Sequence, residues 1–304
     1  MESHDRPRPL RAVLIPIGLF LLTLLCTTAV GACFADHFQR NKPGLDPLEP
    51  LYAAPQFMRR PELLVMGLPY SLTLMAILLG HELGHYFACR HHKVACTLPY
   101  FLPVPFLIGT FGAFIRFRSA VKSRKELFDV GIAGPLAGFV LVLPVLIVGL
   151  ALSRVVPHLK DGIETPLALP ALFHWLAAWI LPGCGIAELN LHPMARAAWV
   201  GLLATALNLL PVGQLDGGHI IYAWLGERYK WVSLAVILLL GAMGFLFPPW
   251  FIWAGALLLV GRRHFPVYDR QGLDRRRKIL LAVAGLILAL SFIPAPLIYI
   301  TPVP

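Results

Sequence analysis

Apolar runs long enough to cross a membrane recur along this chain, and short segments rich in Arg and Lys separate them. Runs near the length of about 20 residues that a spanning helix needs cover 12–32, 63–87, 128–152, 195–210 and 279–300, with shorter ones at 231–247 and 250–260. The chain is 58% hydrophobic and 14% charged, against about 45–50% and about 25% in soluble domains. The pattern predicts one integral unit, an all-α polytopic membrane protein with about six to seven transmembrane helices.

The first run has two interpretations. Arg6, Arg8 and Arg11 precede it, which is also the pattern of a signal peptide. Because the run is long enough to cross a bilayer, we expect it to be a retained span.

A cluster of ionisable groups stands near the end of the second run, where such groups are costly in hydrocarbon. The stretch AILLGHELGHYFACR, 76–90, contains His81, Glu82 and His85. A spacing of four puts both histidines on one face of a helix, and this HExxH arrangement binds zinc with the glutamate as general base. The alternative is two buried histidines bonded to carbonyl groups and a glutamate paired with an arginine. A divalent ion would satisfy all three groups together, so we predict a metal site.

A catalytic zinc needs a third protein ligand and one open position. The stretch NLLPVGQLDGGH, 208–219, supplies candidates after another apolar run. We predict Asp216 as the third ligand, with a helix cap or a turn residue as the alternative. Asn208 is predicted to donate a hydrogen bond to the oxyanion or the substrate, unless it bonds a neighbouring helix. His219 is interpreted as a structural or interfacial histidine.

Pro and Gly interrupt the apolar segment 98–117, which argues against a plain helix. We expect a membrane-associated hairpin or strand near the active site, since irregular backbone is tolerated there only where protein or a wet cavity covers it. The stretch GAFIRF, 112–117, is the candidate strand edge to which an extended substrate adds. A structural loop between spans is the alternative.

The two polar motifs together resemble those of the site-2 protease family of intramembrane zinc metalloproteases. HExxH matches at His81, Glu82 and His85, and the family motif NxxPxxxLDG matches at 208–217. The resemblance covers roughly 66–219, and the branch of the family that this chain resembles is the one with chloroplast and bacterial members. No stretch between the third and fourth spans is long enough to be a PDZ domain. It implies Zn²⁺ bound by His81, His85 and Asp216, with Glu82 as the catalytic base, and a membrane-protein substrate helix as partner. The catalytic role of Asn208 is the prediction made above from its position.

The resemblance and the spans together divide the chain into three expected parts. Residues 1–62 form an amino-terminal span and loop, 63–219 a catalytic transmembrane core, and 220–304 carboxy-terminal transmembrane helices. The rival functions are a membrane zinc transporter and a non-catalytic zinc-binding membrane protein.

Basic residues predict how the chain lies in its bilayer. Cytoplasmic loops carry an excess of Lys and Arg, and placing the amino terminus inside puts most basic residues there. These are Arg6, Arg8, Arg11, Arg90, Lys93, Arg116, Arg118, Lys122, Arg124, Lys125, Arg228, Lys230, Arg262, Arg263, Arg270 and 275–278. The net charge of +10 then fits an anionic leaflet, and we expect no nucleic acid as a partner because no basic stripe with interleaved aromatics occurs. We predict a multi-pass protein of a bacterial inner (plasma) membrane, with the amino terminus and the active site towards the cytoplasm.

Overall fold

The computed structural model describes residues 10–42, 48–156, 167–183, 185, 188–260, 267, 269 and 271–297, and these are mostly helical. The helices in chain order are α1 (Arg11–Gln39), α2 (Glu49–Arg59), α3 (Glu62–Val65), α4 (Leu68–His91), α5 (Arg124–Ala151), α6 (Ala171–Ile180), α7 (Pro193–Asn208), α8 (Asp216–Leu225), α9 (Tyr229–Met243), α10 (Pro249–Val260) and α11 (Arg275–Ser291). Two antiparallel strand pairs accompany them, β1 (Tyr100–Pro103) with β2 (Thr110–Phe114) and β3 (Arg154–Val155) with β4 (Leu189–Asn190).

Three helices of the described residues, α1, α4 and α5, are long and apolar enough to cross a membrane. They overlap the first three predicted spans. The later predicted spans fall on α7, α9, α10 and α11, which have 16, 15, 12 and 17 residues and are short for an upright crossing. The chain is therefore a helical membrane protein with three candidate spans, and the larger number stays a prediction.

Some residues used in the orientation prediction lie outside the described ranges. They are Arg6, Arg8, Arg262, Arg263 and Arg270. The last predicted span, 279–300, falls on α11, which begins earlier and ends earlier than predicted, and 298–300 also lie outside.

The long helix α5 packs against α4, α7, α8 and α11. Its start is capped, because the Ser123 hydroxyl accepts a hydrogen bond from the Glu126 amide at 3.2 Å and the Glu126 carboxylate accepts one from the Lys122 amide at 3.0 Å. Tyr70 and Leu202, from α4 and α7, are fully buried in the same apolar core as α5. Helix α5 thus contacts both α4 and α8, the two helices that carry the polar motifs.

The segment 98–117 forms a hairpin. Tyr100 pairs with Phe114 and Phe101 with Ala113, and a further bridge joins Cys96 to Phe117. The Tyr70 hydroxyl donates a hydrogen bond of 2.9 Å to the Ile108 carbonyl, which attaches the turn of the hairpin to α4. The predicted strand, 112–117, overlaps β2 at 112–114, and β2 begins two residues earlier, at Thr110.

A charged network joins the ends of α4, α5 and α11. Asp129 accepts hydrogen bonds from Arg277 Nε at 2.8 Å and Nη2 at 2.6 Å, and lies 3.0 Å from the His92 imidazole. Asp274 caps α11 by accepting from the Arg277 amide at 3.0 Å, and this bond is the main reason that the pKa of its carboxyl is lowered. Such bidentate Arg–carboxylate pairs fix geometry as well as energy, so α11 is tied to the start of α5.

Candidate metal centre

The two motif histidines lie on one face of α4 and are both buried. Their Nε2 atoms are 3.1 Å apart. The His85 Nδ1–H donates a hydrogen bond of 2.8 Å to the Val130 carbonyl of α5. Because this bond occupies Nδ1, it leaves the lone pair of Nε2 facing the other histidine, which is the tautomer that a metal ligand needs.

Asp216 joins the histidines from a separate helix. Its Oδ2 is 3.2 Å from His81 Nε2, and its Oδ1 is 3.2 Å from His85 Nε2. Asp216 is the first residue of α8, and a Cβ on the next residue, Gly217, would overlap the carbonyl of Leu209. The glycine therefore lets α8 start directly against the end of α7, which brings the carboxylate to the histidines.

The spacing of these three groups fits a tetrahedral cation. Their ligand atoms all lie within 4.8 Å of one another. A zinc tetrahedron with bonds of about 2.0–2.2 Å has ligand atoms roughly 3.3–3.6 Å apart, close to the observed separations. Two imidazoles and one carboxylate also form a donor set of the kind that catalytic zinc sites use.

Small residues on α5 make room for this cluster. A Cβ added to Gly134 would overlap the His85 imidazole, and one added to Gly138 would lie 3.2 Å from the His81 Cβ. On the other helix, a Cβ at Gly84 would come within 2.5 Å of the Ala133 carbonyl oxygen. Glycine on both sides thus permits the close approach of α4 and α5 that the histidines require.

Glu82 is buried beside the ligand cluster, with 3% of its surface exposed. Ile115, just after β2, lines the same cavity as this carboxylate. One carboxylate oxygen, Oε2, has no hydrogen-bond partner among the described residues. A buried carboxylate oxygen without a partner is costly, so this position is one in which a bound water or substrate group completes the site.

Asn208, the last residue of α7, lies at the cluster, with its Nδ2 3.3 Å from His81 Nε2. Its amide and the Glu82 carboxylate both line a cavity of about 180 Å³. The structure thus brings all five predicted site residues to one cavity.

Some groups at the cavity were not predicted. His219, interpreted from the sequence as structural, lines the cavity together with Gln214. Its position three residues after Asp216 on α8 was the available signal, because that spacing shares a helix face. The Val130 carbonyl carries no side-chain signal at all.

Two further histidines lie away from the cluster. His92 faces Asp129, and the His192 Nδ1 caps α7 by accepting from the Met194 amide at 3.3 Å. Burial, and secondarily the nearby Arg154, lowers the pKa of the His192 imidazole, which keeps this nitrogen available as an acceptor.

Comparisons with known proteins agree with this geometry. Residues 69–247 match the pattern of peptidase family M50. The chain is 30% identical over 310 residues to "Probable zinc metalloprotease EGY1, chloroplastic" of Arabidopsis thaliana, covering 96% of this chain and 55% of that one. It is 35% identical to the protein of the same name from Oryza sativa subsp. japonica, over 75% of this chain and 41% of that one. It is 26% identical to "Putative zinc metalloprotease Rip3" of Mycobacterium tuberculosis, over 54% of this chain and 33% of that one. The chain thus spans about half the length of the two plant proteins.

Proposed function

Because this chain belongs to peptidase family M50, the site-2 protease family, we propose that it is an intramembrane zinc metalloprotease. It hydrolyses peptide bonds in or near the transmembrane segments of membrane-protein substrates. The observation that carries the proposal is the meeting of His81, His85 and Asp216 from two helices beside Glu82, in one buried cavity.

His81, His85 and Asp216 would hold Zn²⁺, and the carboxylate contributes one negative charge to the donor set. When bound, Zn²⁺ lowers the pKa of a coordinated water towards ~7 and polarises a carbonyl oxygen. The Val130 carbonyl keeps His85 in the ligating tautomer.

Glu82 moves the proton in the proposed reaction. Its unpartnered Oε2 accepts the proton of the attacking water and then delivers it to the leaving amine. The amide of Asn208 reaches the same cavity and donates a hydrogen bond to the developing oxyanion. Glu82 and the two histidines are buried, and electrostatic interactions are stronger in such a setting than in bulk water.

The free edge of β2 receives the substrate in this proposal. A helical substrate hides its peptide bonds in its own hydrogen bonds, so it must become extended before attack, and the released groups need partners. Within the described residues β2 pairs with β1 alone, and Ile115, which follows it, lines the same cavity as Glu82. An added strand would therefore run past the catalytic base.

The arrangement in the bilayer follows from the same proposal. We place the cavity towards the cytoplasmic side of the membrane, because basic residues cluster between the end of α4 and the start of α5. They are Arg90, Lys93, Arg116 and Lys122. The shorter apolar helices complete about six to seven spans, and 63–219 is the catalytic core between 1–62 and 220–304. A bacterial inner membrane stays a prediction, because the relatives include chloroplast proteins of plants as well as a mycobacterial protein.

A membrane zinc transporter and a non-catalytic zinc-binding protein would use the same ligands. Transport requires polar groups at several depths in the membrane. The candidate ligands gather at one position, next to an unpaired carboxylate oxygen, so hydrolysis is the function that the geometry supports best.

The test uses the purified chain in detergent and a panel of single-span membrane proteins. We expect about one equivalent of zinc per chain and cleavage of at least one substrate. Glu82→Gln should retain zinc and lose activity by about 10²–10⁴-fold, whereas Glu62→Gln, an exposed acid of α3, should cleave normally. Zinc-loaded wild type that cleaves nothing, or active Glu82→Gln, would overturn the proposal.

A further inference from the structure

A second and larger cavity lies on the hairpin, next to the cavity that holds the metal ligands. Its volume is about 600 Å³. It shares two aromatic residues, Phe114 and Phe117, with the cavity that holds the ligands. Its lining consists of Thr97, Tyr100, Phe114, Arg116, Phe117 and Arg118. A substrate peptide that enters the catalytic cavity past Phe114 would therefore lie against this lining.

The two faces of segment 113–118 differ in character. Ala113, Ile115 and Phe117 are half-buried and line the catalytic cavity. Phe114, which lines both cavities, and the two arginines Arg116 and Arg118 are exposed. This alternation is the period of two of an extended chain. The backbone of the segment is held extended beyond β2, because the Thr97 amide donates to the Arg116 carbonyl at 3.0 Å and the Arg118 amide donates to the Ala95 carbonyl at 2.7 Å. Two guanidinium groups thus project from alternate positions of one rigid edge.

The charge of the larger cavity is uncompensated. None of its six lining residues is acidic. In the part of the chain that the structure describes, neither the Arg116 nor the Arg118 guanidinium group has a hydrogen-bonded or ion-paired partner. Tyr100 stacks on Phe114 at a ring separation of 5.7 Å and forms an apolar floor beside them. The lining thus pairs an apolar floor with two free cationic groups.

We propose that Arg116 and Arg118 select substrates with acidic side chains at alternate positions next to the scissile bond. The inference rests on the proposed function and specifies its substrate class. In a strand added beside 112–118, side chains two residues apart share a face, so two carboxylates match the two guanidinium groups. Cytoplasmic flanks of membrane spans are usually basic and are repelled by this cavity, which makes an acidic flank a distinguishing feature.

The experiment compares three versions of one single-span substrate that wild type cleaves. Two alternate flanking residues are Glu, Gln or Lys. Opposite charges across a strand pair contribute about 0.2–1 kcal/mol, which is up to about fivefold per residue. We expect wild type to prefer Glu over Gln by up to about fivefold for each replaced residue, with a smaller preference at high salt.

Charge exchange supplies the decisive comparison. The double variant Arg116→Glu/Arg118→Glu should cleave the Lys substrate faster than the Glu substrate, with unchanged zinc content. Arg90→Glu, an exposed basic residue outside the cavity, should keep the wild-type order. If the double variant does not fold, Arg116→Gln/Arg118→Gln should remove the preference without reversing it.

The outcomes separate the two proposals. Equal cleavage of all three substrates by wild type, or a Glu preference that persists in the double variant, would overturn the role of the arginines and leave the protease standing. Absence of cleavage by zinc-loaded wild type across the whole substrate panel would overturn both.

Discussion

Replacing Gly134 by Ala should weaken zinc binding more than any other single-methyl change on α5. The three atoms nearest to the added Cβ all belong to the His85 imidazole, which it would overlap. The ring cannot retreat freely, because its Nδ1–H is bonded to the Val130 carbonyl of the same helix at 2.8 Å. The ring must therefore turn, and Nε2 loses its direction towards Asp216.

The size of the effect follows from overpacking. Forcing a methyl group into a filled site costs about 1–3 kcal/mol. If that cost falls on the metal-bound state, zinc affinity drops by about fivefold to 150-fold. The measurement is a competition titration of the purified protein against a chromophoric zinc chelator.

A matched clash elsewhere on α5 serves as the control. A Cβ at Gly149 would lie 2.5 Å from the Ala195 backbone nitrogen, remote from the ligands. Gly149→Ala should lower the thermal unfolding midpoint and leave zinc affinity unchanged. Wild-type affinity in Gly134→Ala would refute the idea that α5 positions the histidine.

Three further predictions concern residues around the site. Arg277→Ala leaves Asp129 without its bidentate partner, so we expect a loss of about 1–3 kcal/mol in the free energy of unfolding, measured by thermal melts. Arg276 is an exposed neighbour, and Arg276→Ala should leave stability unchanged. Equal melting midpoints for the two variants would contradict the network. Asn208→Ala should lower kcat by about 10²-fold at constant zinc content, and an unchanged kcat would exclude the oxyanion role. Because the pKa of His192 is lowered in the folded protein, the unfolded chain takes up a proton first, so stability should be full above about pH 6.5 and decline below it; His192→Asn, which keeps a capping acceptor, should flatten that decline.

The metal centre illustrates what sequence patterns can and cannot predict. The spacing of His81 and His85 defines a helix face, and Asp216 is a lone carboxylate after an apolar run, so both halves of the cluster were visible. The family resemblance is confirmed by the comparisons. The group that orients His85 was not visible, because the Val130 carbonyl is a backbone group of the kind that every residue carries. The sequence pattern of side chains reveals which residues are ligands, whereas contacts between helices determine how those side chains are oriented.

Element boundaries depend on local chemistry that hydropathy ignores. The last span was predicted to begin after the basic run, yet α11 starts at Arg275, because Asp274 caps it and arginine is a good helix former. The helix ends at Ser291, shortly before Pro294 and Pro296, which cannot continue it. Charge marks where a span leaves hydrocarbon, but it does not end a helix.

Ile115, which directly follows β2, and the Glu82 carboxylate line one cavity, so in the proposed reaction the docking edge lies next to the proton acceptor. A peptide that aligns with the edge is thereby brought beside the carboxylate, whereas a helix that stays folded keeps its peptide bonds in its own hydrogen bonds. Under this proposal, bystander helices of a crowded bilayer are spared because they do not become extended.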